Sequence, residues 1–206
     1  MSQIKLKNIS RLLKLPAGTA AVYEVEKEVL SWAVLHADFY LERYTQDPTK
    51  HWRVEETKKV RTGLLGQKIF DVICQQLAVP KDHNDPVIDW RRKKTYDFSI
   101  PDFGTVEVKT FEHHCKKVLI KVSEWHGNDY LVVFRLMDTL LSKVCMEGWL
   151  TKQQVENLPV SKKGEHVTPY ADAYITDFDK LNPASQFIIM LSQKSMISPE
   201  RTNEHN

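Results

Sequence analysis

Hydrophobic positions change their period twice along the chain. Between 20 and 43, Val22, Val25, Val29, Trp32, Ala33, His36 and Tyr40 recur at helical spacing. Thr19 is placed to cap the start of that helix, and Asp47-Pro48 breaks the chain after it. A second helix is expected over about 57–78, with Leu65, Ile69, Val72 and Ile73 on its apolar side and Pro80 as its stop. Gln67 and Asp71, four apart, share a different side of it. After Pro86 the period shortens. Segments at about 86–90, 95–100, 105–111, 118–123 and 130–136 are short, rich in Val, Ile, Phe and Tyr, and separated by turn residues, so they read as strands. Helical spacing returns at about 138–147 and 151–157. Lys162-Lys163-Gly164 reads as a loop, 172–177 as a late strand, and 184–192 as a short helix. The tail from Ser198 is polar and is expected to fray. Helices, then strands, then helices imply an α/β or α+β layered fold.

One hairpin carries more information than the rest. In YDFSIPDFGTVEVKT (Tyr96 to Thr110), Phe98 and Ile100 share one strand face, and Val106 and Val108 share another. All four reach one core only if paired residue numbers sum to an even value. A three-residue loop, Asp102-Phe103-Gly104, meets that condition, with Gly104 at the left-handed position such loops need. The resulting register pairs 98 with 108 and 100 with 106, and sets Asp97 across from Lys109 with Glu107 on the same face. An antiparallel hairpin commonly has one wet face, which alone accounts for three charges there. The E-x-K pattern also occurs at Glu56-Thr57-Lys58, but only Glu107-Val108-Lys109 lies in a strand with an upstream acid on its partner.

Composition narrows the class. The chain has 206 residues, enough for one domain with a sizeable core, and no linker splits it. A net charge of +2 is too mild to indicate a nucleic-acid partner unless the positive charge is local. Local charge exists: Arg91, Arg92, Lys93 and Lys94 run together just before the Asp97 strand and suit phosphate backbones, although a solvated turn has the same composition. Lys116, Lys117 and Lys121 add to it. Three cysteines without a CxxC pair imply reduced thiols, neither a disulfide framework nor a zinc site. His113-His114-Cys115 does not make a metal site, since consecutive strand residues point in opposite directions. His36 reads as a core histidine. No GxSxG and no GxxxxGK[ST] occurs, which argues against a serine hydrolase of that type and an NTP-driven motor. The basic start is interrupted by charges, unlike a secretory signal, and no run approaches the roughly 18 apolar residues of a membrane span. A soluble cytoplasmic protein with no membrane partner is the expectation.

The hairpin and its flanks resemble the PD-(D/E)XK nuclease superfamily. Asp97, Glu107 and Lys109 match its signature, with nine residues between the acids, and Tyr96 stands where the proline would be. RTGLLGQKIFDVI (Arg61 to Ile73) resembles the family's preceding helix, with Gln67 where a Glu or Gln often faces the site. KKVLIKVSEW and DYLVVFRL resemble its remaining strands. The likeness covers about 57–136 and leaves the first helix and the region after 137 unexplained.

The resemblance implies a restriction-endonuclease-like core, a central mixed β-sheet flanked by helices, in one domain spanning 1–206. That domain would have a helical extension at about 1–50, a core at about 55–192 and a frayed tail at 195–206. It implies a Mg²⁺-dependent deoxyribonuclease, in which Mn²⁺ can substitute. Asp97 and Glu107 would hold the metal, the Val108 carbonyl would add a ligand, Lys109 would act on water or phosphate charge, and Gln67 would assist. DNA is the implied substrate, with RNA the second choice. Asp89 is the alternative first acid. Restriction, repair and junction resolution all fit, as does a homodimer for a two-strand cut. The alternative from another class is a DNA- or protein-binding module that keeps the fold without cutting.

Overall fold

A computed structural model of the chain describes residues 21–45, 54–84, 95–165 and 170–195. The expectations for Thr19, Asp47-Pro48, the 86–90 strand with Asp89, the Arg91–Lys94 run and the tail from Ser198 lie outside the described residues. The elements are β1 (Ala21–Glu24), α1 (Lys27–Thr45), α2 (Val54–Gln76), β2 (Asp82–His83), β3 (Phe98–Ile100), β4 (Gly104–Phe111) and β5 (Lys117–Lys121). They continue with β6 (Tyr130–Leu136), β7 (Lys143–Thr151), α3 (Lys152–Glu156), β8 (Val160–Ser161), β9 (Ala173–Asp177), β10 (Asn182–Pro183) and α4 (Ala184–Ser195).

The architecture is α/β, with a mixed sheet flanked by helices. Its strands run β1-β7-β6-β4-β3-β2, and β10 also pairs with β7. β4 and β6 are parallel, while the other neighbours are antiparallel. A second sheet, β5-β9-β8, is separate. Strand alternation sends β6 to two cores at once. Val132, Phe134 and Leu136 join α1, α2 and α4 through Val29, Ala33, Ile69, Ile73, Phe187 and Ile188. Leu131 and Val133 turn the other way and meet Val118 and Ile120 of β5, Leu150 of β7 and Val155 of α3. The main sheet is therefore covered by helices on one face and by the small sheet on the other.

Two stretches differ from the helices expected of them. Ala21–Glu24 is a strand, because Ala21 and Tyr23 are buried alternately while Val22 is exposed, and all four residues pair with β7. Helix α1 begins only at Lys27. The second is 138–147, whose second half, from Lys143, belongs to β7. That strand lies between β6 on one side and β1 and β10 on the other, with both faces covered, so its burial has no clean two-residue period. A strand buried on both faces cannot be told from a helix by periodicity alone.

The other elements agree with expectation to within a few residues. Helix α2 buries Leu65, Ile69, Val72 and Ile73 as its spacing requires. It ends before Pro80, where Ala78 turns left-handed at φ 53°. Its seat on β4 depends on Gly66: a Cβ there would lie 1.8 Å from Thr110 Oγ1. No helix among the described residues is long and apolar enough to cross a membrane.

Candidate functional site: two carboxylates at the end of β3

The hairpin register differs from the expected one by two residues. Phe98 pairs with Val106 and Ile100 with Gly104, so the loop is Pro101-Asp102-Phe103. The left-handed residue is Asp102 (φ 56°), and Gly104 takes a φ of 127°. Both registers satisfy the even-sum rule, so hydrophobic patterning cannot separate them. Phe98, Ile100, Val106 and Val108 are all buried in one core either way. A contact outside the hairpin favours the observed choice. The Asp129 carboxylate accepts from Thr105 N (2.8 Å) and Thr105 Oγ1 (3.0 Å), and a Cβ on residue 104 would lie 2.6 Å from it.

The shift changes which charges meet. Continued by one residue, the observed register sets Asp97 beside Glu107, not across from Lys109. Asp97 N still donates to Val106 O at 3.1 Å, but there β3 leaves the ladder. The Asp97 side chain fills the next position: Val108 N donates to Asp97 Oδ2 at 2.7 Å. The N–H and C=O of one strand residue face the same edge, so the Val108 carbonyl also points into the gap left by β3. From the helix face, Gln67 Nε2 donates to Asp97 Oδ1 at 2.8 Å.

Lys109 serves the other acid. Its Nζ lies 2.8 Å from Glu107 Oε1 and 3.9 Å from Glu124 Oε2. The second Glu107 oxygen is 3.5 Å from Asn128 Nδ2, which also donates to the Thr95 carbonyl at 2.8 Å. Burial, then the charge of Glu107, push the Asp97 carboxyl up to about 8; the Val108 N–H and the Lys109 charge only partly offset this. Burial opposes the charge on Lys109, but Glu107, Asp97 and Glu124 outweigh it and hold the ammonium above its usual range.

Gln67, Asp97, Glu107 and Lys109 thus come together, with Val108 supplying backbone between the acids. Glu124 and Asn128 were not legible as site residues. Each reaches the site only because the segment between β5 and β6 folds back towards β4, and neither carries a spacing signal. Lys117 lies 3.8 Å from Asp177, and Lys121 lies 2.6 Å from the same Glu124 that Lys109 approaches. Among the described residues, no group of three or more His, Cys, Asp or Glu side chains is placed to hold a metal ion. The oxygens available are two carboxylates and a backbone carbonyl, a donor set suited to a hard cation that keeps most of its waters. Comparison with protein-family models, curated proteins and solved structures finds no match to this chain.

Proposed function

We propose that the chain is a Mg²⁺-dependent deoxyribonuclease of the restriction-endonuclease-like kind, an endonuclease whose site is Asp97, Glu107, Lys109 and Gln67. One observation carries this reading. Asp97 lies beside a second carboxylate, and the nearby lysine bonds to Glu107 instead. Two acids enclosed together without enough cation to balance them favour a divalent ion between them. Asp97, Glu107 and the Val108 carbonyl would hold it. When bound, Mg²⁺ would supply Lewis-acid stabilisation of the phosphoryl charge and a lowered pKa for bound water.

The protein's own groups supply the rest. Gln67 and the Val108 N–H each occupy one Asp97 oxygen, fixing the carboxylate's orientation. Lys109, kept charged by its acidic neighbours, suits electrostatic stabilisation of phosphate oxygens better than proton abstraction. Arg91 to Lys94 precede the Asp97 strand and would position the DNA backbone in this reading.

The test is supercoiled plasmid incubated with the full chain in Mg²⁺, Mn²⁺ and EDTA. Cleavage should require the metal, and Asp97→Ala, Glu107→Ala and Lys109→Ala should each lower the rate at least about a hundredfold. Variants that cut like wild type would sink the assignment. DNA binding without cutting under any metal condition would identify a binding module instead.

A further inference from the structure

A second cleft opens at the carboxyl ends of β4 and β6, the parallel pair. It has a volume of about 150 Å³ and is lined by Lys58, Arg61 and Thr62 of α2, by Glu112 and His113 after β4, and by Leu136, Asp138, Thr139 and Leu141 at the end of β6. It is distinct from the carboxylate site. Arg61 is six residues before Gln67, about 9 Å along the helix axis, and Glu112 lies three residues beyond Lys109, about 10 Å along the strand direction. Crevices outside the carboxyl ends of parallel strands are where open α/β sheets bind ligands.

The charges in the cleft are unequally used. Asp138 is occupied by its own turn, accepting from Ser142 N at 3.0 Å and Ser142 Oγ at 2.5 Å. Glu112 lies 3.4 Å from His114 Nδ1. Arg61 Nε is buried and has no hydrogen-bond partner among the described residues. A buried guanidinium donor without an acceptor carries a desolvation cost that an oxyanion would remove. Lys58, one helical turn from Arg61, and the Thr62 and Thr139 hydroxyls add donors around the same space.

From this cleft we infer a phosphate-binding site, in which Arg61 and Lys58 take the oxygens of a phosphate monoester or diester. The guanidinium fork matches two phosphate oxygens. The inference does not rest on the nuclease reading.

Inorganic phosphate is titrated into the full chain in EDTA, following the Arg61 Nε–H and Thr62 amide resonances and the melting temperature. Phosphate should shift those resonances and raise Tm. Arg61→Met should weaken binding at least about tenfold, yet melt no lower than wild type in phosphate-free buffer, because it removes an unpartnered donor. Lys58 is exposed. Lys58→Met therefore keeps the fold and should weaken binding about threefold. A short oligonucleotide acting on the same resonances would mark the phosphate as part of a nucleic-acid backbone. A response to free phosphate alone would mark a small phosphorylated ligand. Either upholds the site. No response to either probe, or binding unchanged in both variants, would overturn it.

Discussion

Asp71 and Asp97 are two enclosed acids linked through one turn of α2, and the fold treats them in opposite ways. Asp71 lies 2.8 Å from Lys68 Nζ and 2.6 Å from Lys81 Nζ, with the Gln75 amide donating at 2.9 Å. Burial alone would raise its pKa, but the two lysines outweigh that and leave it lowered. Asp97 has one amide side chain, from Gln67, one backbone N–H, and an acid for a neighbour, and its pKa is raised. The difference teaches how to separate a structural carboxylate from a candidate functional one. The first is neutralised by its own chain, whereas the second leaves a charge deficit for something external to fill.

The sharpest way to break the comparison is to neutralise each acid. Asp71→Asn strands two poorly exposed lysines and should destabilise the fold by about 3 kcal/mol in chemical denaturation. Asp97→Asn replaces a carboxyl that burial and Glu107 already hold protonated at neutral pH, so in EDTA it should cost far less or stabilise. A comparable loss in both variants would erase the distinction drawn here.

Divalent metal gives the next effect. Mg²⁺ at about a hundredfold its Kd should stabilise the wild-type chain by about 2.7 kcal/mol. That gain should vanish in Asp97→Asn and in Glu107→Gln but persist in a variant of Gln75, whose amide bonds to Asp71. A full metal response in Asp97→Asn would place the ion elsewhere.

The pH profile separates the two acids by sign. The Asp97 pKa is raised to about 8, above its unfolded value of roughly 4. Its contribution is therefore full below the unfolded pKa and declines as pH climbs towards 8. The Asp71 pKa is lowered, so its contribution is full above the unfolded value and is lost as pH falls through the folded one. In EDTA, denaturation midpoints should show a decline between about pH 4 and pH 8 that Asp97→Asn removes. They should also show an acid-side loss that Asp71→Asn removes.

The smallest effects come from the two amides. Gln67→Ala and Gln75→Ala each delete one hydrogen bond to an acid and should cost about 1 kcal/mol of stability. Only Gln67→Ala should also slow plasmid cleavage. Equal cleavage in both variants would show that the orientation of Asp97 does not matter.

Much of this protein follows from local pattern. The spacing of Leu65, Ile69, Val72 and Ile73 sets the buried side of α2, and alternation sets the shared core of Phe98, Ile100, Val106 and Val108. The odd-numbered face carrying Asp97, Glu107 and Lys109 follows from the same alternation, because parity survives a slip of two residues. Tertiary structure decided what periodicity cannot encode. It made β7 a strand by covering both its faces, and it turned Ala21–Glu24 into a strand by pairing it with β7. It also chose between two registers of equal hydrophobic merit, through contacts such as Asp129 against Thr105 and Gly104. That choice put Asp97 beside Glu107 and left Lys109 to bridge towards Glu124. Burial is a property of faces and is written into sequence period, while the pairing of individual charges depends on which distant segments arrive beside them.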